Sequence, residues 1–186
     1  MRFFSALKQF WQDRSGTLTF EAIIIVPVMA MGMSGFFAFW HVYQTQNMVQ
    51  KAAYAVADML SREMVPATPA FITGLETTLE HIIQRNANIR VTSVRRVSDG
   101  PTGVVGLDVL WSFSPGNVLT PRTEGNLIEI QEDIPMMSIG SNMVIFEAQV
   151  PYTSVTNMIT LNTVNETLAM RPHFLPTLCM VGVPGC

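Results

Sequence analysis

The chain reads as an α+β protein: a long N-terminal transmembrane and amphipathic helix, a second helix and a small antiparallel sheet. Three patterns predict this. From Ala22 to Trp40 there are nineteen consecutive residues without a formal charge, and a helix of that length roughly matches the ~30 Å hydrocarbon core of a bilayer. From Gln44 to Met64 there is neither proline nor glycine, and Val49, Ala52, Ala53, Val56, Leu60 and Met64 recur at steps of three and four. Beyond Asn88 the period changes to two, most plainly at Val105, Leu107, Val109, Trp111 and Phe113.

Taken in order, residues 1–16 form a basic leader. Arg2, Lys8 and Arg14 are opposed only by Asp13, and Phe3, Phe4, Leu7, Phe10 and Trp11 are interleaved with them. This spacing suits a short helix on a membrane surface, either a discarded leader or a cytoplasmic anchor. By the positive-inside rule this end stays in the cytoplasm and the chain beyond Trp40 is exported. Residues 17–65 read as one helix, apolar in its first half and amphipathic in its second, with Trp40 and Tyr43 where interfacial aromatics belong. Its apolar stripe packs either on the exported domain or on neighbouring subunits.

Residues 66–186 read as the exported α+β domain. Pro66 and Pro69 stop the first helix, and Thr68–Pro69 forms the N-cap and first position of a second, over about 69–86. Phe71, Ile72, Leu75, Leu79, Ile82 and Ile83 make its apolar face. A strand over about 89–98, a turn at Asp99–Gly103 and a strand through Phe113 predict a hairpin with one buried face. Residues 127–133 suit either a short helix or a strand. Val144, Phe146, Ala148, Val150 and Tyr152 share one face of a further strand, with Glu147 on the other, and a last strand covers Thr163–Met170.

Composition narrows the function classes. Charged residues are 13% of 186 and hydrophobic ones 48%, as expected when part of the chain lies in lipid. Beyond Glu21 there are eight basic residues against twelve acidic, a net of 8 − 12 = −4. That argues against a nucleic-acid surface, which needs clustered Lys and Arg.

The apolar run is not an ordinary signal sequence. It exceeds the usual ~7–15-residue core, no small-x-small site follows it, and Glu21 stands at its start. A carboxylate deep in a membrane helix costs roughly 2.5–3.5 kcal/mol, and less near the helix start. Glu21 is therefore either a first-turn residue without a partner or a functional one. Gly16, four residues, then Glu21, between a basic leader and an apolar helix, resembles the type IV prepilin processing site. In that family a membrane aspartic peptidase cuts after the glycine. The resemblance implies a cut between Gly16 and Thr17, leaving 186 − 16 = 170 residues with Glu21 as the fifth. The new amine at Thr17 is then one turn from Glu21, and a glutamate can neutralise a neighbour's amine in a helix bundle.

Pro27 is open to two compatible readings. As an intramembrane proline it kinks the helix. Within Phe20-Glu21-Ala22-Ile23-Ile24-Ile25-Val26-Pro27 it is similar to the start of TadE-like proteins, minor pseudopilins of the tight-adherence (Flp/Tad) pilus. The run from Ile134-Pro135 through Gly140 to Val144–Tyr152, and Arg171-Pro172, resemble that family's exported domain less specifically. The resemblance implies a bacterial inner-membrane, single-pass protein with a periplasmic domain. Its implied partners are a prepilin peptidase, other pseudopilins and the Tad inner-membrane machinery, and its implied role is assembly or priming of an adhesive pilus.

Cys179 and Cys186 are the two cysteines. Outside the cytoplasm such a pair reads as a disulfide, contributing roughly 2–2.5 kcal/mol at most, so it holds the tail rather than the fold. A metal site lacking two further ligands and a free thiol pair are the alternatives. His41, His81 and His173 are far apart, with no metal-ligand spacing, phosphate-cradling glycine loop or nucleophile-elbow serine beside them. The expectation is no enzyme, no cofactor and no metal. Two other classes stay open: an uncut membrane protein with an exported binding domain, and a membrane-anchored hydrolase without a local motif.

Overall fold

In the computed structural model of the chain, residues 15–98, 106–153 and 161–183 are described, with side chains from Phe20 onward. Leader residues 1–14 and the Asp99–Gly103 turn fall outside that set, as do residues 104–105, 154–160 and 184–186. The described residues group into two compact units, 15–43 and 44–153 with 161–183.

The fold is α+β, with a long apolar N-terminal helix, a second helix and a four-stranded antiparallel sheet. Helix α1 runs Ser15–Ser61, with Pro27 inside it. It ends at Ser61, slightly ahead of the prolines that predicted its stop, because the His173 amide donates to the Ser61 carbonyl at 2.7 Å. That bond satisfies one of the carbonyls a helix end leaves without a partner. From residue 44 onward α1 buries Val49, Ala52, Ala53, Val56 and Leu60, as the three-and-four spacing requires, while Met64 lies beyond the helix and is exposed.

Helix α2 spans Pro69–Ile83, with Thr68 Oγ1 accepting the Phe71 amide at 3.1 Å and Pro69 in the first turn. It buries Ile72, Leu75, Leu79 and Ile83 and leaves Ile82 and His81 exposed. It stops short of residue 86 because Gln84 takes left-handed backbone angles (φ 54°, ψ 36°). Glu80 then accepts the Ala87 amide at 3.0 Å and Glu76 the Ile89 amide at 3.3 Å, fixing the entry to the sheet. Burial raises the Glu76 carboxyl above the ordinary range, the Ile89 amide opposes this, and Glu80 adds to the rise.

The strands are β1 (Asn88–Arg96), β2 (Leu107–Phe113), β3 (Asn142–Pro151) and β4 (Thr163–Met170), in spatial order β2-β1-β3-β4. The β1–β3 register pairs Val91 with Phe146 on one face and Thr92 with Ile145 on the other. Both faces are covered. Gln50 of α1 donates to Glu166, which pairs with Ala148, placing α1 on the Phe146 face. Leu127, Ile130 and Met137 pack with Val94, Met143 and Ile145 on the opposite face.

β1 and β2 pair antiparallel as expected, but not with a single buried face. The β1–β2 register shifts at Ser93/Val94, so Ser93 pairs with Trp111 but Val94 with Val109, and Leu110 is the extra residue. A bulge of this kind turns the strand over. Trp111 and Phe113 consequently face the helices, while Leu107 and Val109 pack under the 127–137 segment. Residues 127–133, left open between helix and strand, form a 3-10 helix.

A C-terminal strap closes the domain. The Ala67 amide donates to the Cys179 carbonyl at 2.7 Å, and the Val181 amide to the Ala67 carbonyl at 2.9 Å. The Trp111 indole donates to the Leu178 carbonyl at 2.8 Å, and the Asn142 amide group to the Thr177 hydroxyl at 2.6 Å.

Candidate functional site

Two places concentrate unusual chemistry, and they sit in different units. The first is the start of α1. Phe20, Ile23, Ile24, Phe36 (73% exposed), Phe39 (71%) and Trp40 all lie open on the helix surface. The segment Phe20–Trp40 spans about 30 Å at helical rise, and α1 is the one described helix long and apolar enough to cross a membrane. Water would strip little stability from a buried stripe, but it strongly opposes a helix apolar on every side. Such a surface belongs in lipid or against other helices.

Gly16 and Thr17 lie in the first turn of α1, so the bond between them is part of the helical backbone. Glu21 is exposed one turn further on, the only charged residue between Ser15 and Gln50, with no ion pair among the described residues. Pro27 lies within the helix and cannot donate to the carbonyl one turn back. Val28, Gly32, Gly35 and Phe39 continue from Glu21 and Ile25 at steps of three and four. A side chain added at Gly32 or Gly35 would meet nothing within 4 Å. Among the described residues no packing calls for either glycine, although each costs about 1 kcal/mol of helix propensity in water.

The second place is a buried ion cluster on the sheet face opposite the helices. Glu147 of β3 stands across from Arg90 of β1. Arg90 donates to both carboxylate oxygens, Nε to Oε2 at 2.7 Å and Nη2 to Oε1 at 2.6 Å. Arg122 approaches from the 114–133 segment and does the same, Nη2 to Oε1 at 2.8 Å and Nε to Oε2 at 3.3 Å. Its Nη1 donates to Glu129 at 2.7 Å and to the Asn126 carbonyl at 3.0 Å, while Arg90 Nη1 donates to the Thr120 carbonyl at 2.6 Å. Side-chain exposure is only 9–12% for these three residues. Burial pushes the Glu147 carboxyl up, but the hydrogen bonds from Arg90 and Arg122 outweigh it and hold the group below the ordinary range. The Glu147 hydrogen bond in turn raises Arg122.

Two guanidinium and two carboxylate groups balance, and the guanidinium nitrogens are committed. A cavity of about 230 Å³ opens beside them, also lined by Gln149, Asn165 and Thr167. The arrangement clamps the 114–133 segment to the sheet and leaves no net charge for an anionic ligand. Among the described residues no group of three His, Cys, Asp or Glu side chains could hold a metal ion.

The structure does not bring the predicted residues into one site. Gly16, Thr17, Glu21 and Pro27 share α1, whereas Cys179 sits in the strap beside Ala67. Cys186 lies outside the described residues. Sequence reasoning missed Arg90 and Arg122, and the available signal was Glu147 itself, a carboxylate inside the run Val144–Val150.

Comparison with family models, with curated proteins and with solved structures finds no match for this chain.

Proposed function

We propose that this chain is a TadE-like minor pseudopilin, acting in assembly or priming of an adhesive Tad/Flp pilus rather than as an enzyme. The observation that carries the reading is Glu21. It is a lone carboxylate at the head of an exposed apolar helix, five positions after Gly16. A carboxylate held there gains a function if an adjacent subunit presents an amine, and cleavage between Gly16 and Thr17 creates one. Gly32, which is exposed, and Gly35, which is half-buried, lie on the same side of α1 and favour close approach of another helix in lipid, where small residues let backbones meet. In this reading the basic leader stays in the cytoplasm, α1 anchors the chain in a bacterial inner membrane, and the domain stands in the periplasm. A prepilin peptidase, other pseudopilins and the Tad inner-membrane machinery are the partners.

The test is the N-terminal residue of the protein extracted from membranes, with and without active prepilin peptidase. A start at Thr17 that depends on the peptidase is expected. A start at Met1 in cells with working peptidase would overturn the assignment and leave an uncut single-pass protein with an exported binding domain.

A further inference from the structure

The cavity beside the buried ion cluster is bordered by side chains that the cluster does not use. In an antiparallel ladder bonded and non-bonded pairs alternate, and side chains stand closer in the non-bonded ones. The Tyr152 amide donates to the Asn162 carbonyl at 2.8 Å, so Pro151–Thr163, Gln149–Asn165 and Glu147–Thr167 are non-bonded pairs of β3 and β4. Gln149, Asn165 and Thr167 therefore stand close together on the face that carries Glu147, and all three line the cavity. Their two amide groups and one hydroxyl make no hydrogen bond among the described residues.

The ion cluster narrows what can sit there. Glu147 Oε1 and Oε2 each accept from both arginines, which fills the acceptor sites of a carboxylate. Nothing is left on it for a cation or for a proton transfer. Arg122 is further neutralised by Glu129. Glu166 also borders the cavity, but it pairs with Ala148 on the other face, where its carboxylate accepts from Gln50 at 3.3 Å. An ion or a zwitterion would thus enter without a counter-charge to meet it.

The groups that remain are neutral. An amide offers donors and an acceptor on adjacent atoms, and a hydroxyl offers both on one. An occupant that answers all three must itself donate and accept at several neighbouring points. Leu119 and Ile130, from the segment covering this face, add apolar wall. The occupant must therefore carry an apolar side as well. The volume of about 230 Å³ is that of about eight waters, which suits a single ring. A ring also holds its hydroxyls in fixed directions, so few rotors are frozen on binding.

We infer that this cavity binds one neutral sugar ring, with Gln149, Asn165 and Thr167 on its hydroxyls and Leu119 and Ile130 against its C–H face. A few placed polar groups beside apolar wall are the usual make-up of a small-ligand site. The saturated Glu147 makes it a binding site and not a hydrolytic one. This inference does not depend on the pseudopilin reading, because it concerns the second unit alone.

The test is saturation-transfer NMR on the full chain in lipid nanodiscs, with empty nanodiscs as the blank. The probes are glucose, galactose, mannose and N-acetylglucosamine, with glucuronate, glucosamine and glycerol as comparisons. At least one neutral sugar is expected to bind saturably with a Kd of about 1 mM, and the three comparison compounds about tenfold more weakly or less tightly still. Gln149→Leu and Asn165→Ala should each weaken that binding by about tenfold. Both should keep the thermal unfolding midpoint, since neither side chain bonds to the rest of the described fold. Three results would overturn the proposal: no saturable binding of any neutral sugar, binding indifferent to both variants, or a charged sugar or glycerol bound as tightly as the neutral ring.

Discussion

The two stretches of α1, residues 20–40 and 44–61, are built on one helical pitch and both are rich in apolar side chains. They differ in how those side chains are distributed. In the second stretch Val49, Ala53, Val56 and Leu60 are buried on one side, with Lys51, Asp58 and other polar residues opposite. In the first, apolar groups lie on all sides and almost all are exposed. An amphipathic helix carries the information for its own docking, whereas a uniformly apolar one specifies only a solvent. The two buried or stranded glutamates repeat the contrast. Glu147 is enclosed and held by two arginines, while Glu21 stands on an apolar helix without an ion pair among the described residues.

The largest expected effect separates the glutamates. Glu147→Ala leaves Arg90 and Arg122 buried face to face, and should destabilise the domain by about 3–5 kcal/mol, measured by denaturant unfolding in detergent. Glu21→Gln should change that unfolding free energy by less than about 0.5 kcal/mol and leave membrane insertion intact. Under the pseudopilin reading it should still abolish pilus assembly, and normal pili from this variant would remove Glu21 from the mechanism.

The next effect separates the halves of α1. Leu60→Ala removes a fully buried side chain and should cost about 2–5 kcal/mol. Phe36→Ala, on the exposed stretch, should stay within about 0.5 kcal/mol in the same assay. A comparable loss from both would mean that the first stretch is packed within the protein rather than meeting lipid.

Acid titration sharpens the picture further. Glu147 has a folded-state pKa below the ordinary glutamate value of ~4.3. Its stabilisation is therefore fully present above that value and is lost as pH falls through the folded pKa. Glu76 is raised, so its contribution has the opposite sign: present below the ordinary value and lost as pH rises through the folded one. The stability gap between the native chain and Glu147→Gln should accordingly narrow below about pH 4, as followed by thermal unfolding across pH. Among the substitutions expected to destabilise the domain, Cys179→Ser should have the smallest effect. It should cost at most roughly 2–2.5 kcal/mol if a disulfide is present, because the strap is also held by the Ala67, Trp111 and Asn142 hydrogen bonds. Intact-mass comparison before and after reduction reports whether the bridge forms.

Much of the fold was legible because its signals are local. Thr68–Pro69 announces a helix start, Pro66 excludes helix, and the change of period after Asn88 marks strands. The bulge at Ser93/Val94 was not legible, since Val105 to Phe113 alternates without a break and only pairing with β1 shows that the register slips. The strand order and the Arg122–Glu147 clamp escaped for the same reason: they join residues 147 − 122 = 25 and more positions apart. At the candidate site, Glu21 could be read because its neighbours in sequence define it. The Arg90–Glu147 pair could not, because its members lie 147 − 90 = 57 positions apart.

The strap also has a meaning in time. Ala67, between the two helices, is bridged to Met180, 180 − 67 = 113 positions later. A ribosome makes residues 178–181 long after α1, α2 and β1 have left it. Until then Trp111 lacks its carbonyl acceptor and the turn between the helices lacks its partner strand. Contacts of such long separation slow folding. The domain thus completes itself late, after the helix that would hold it to a membrane has been made.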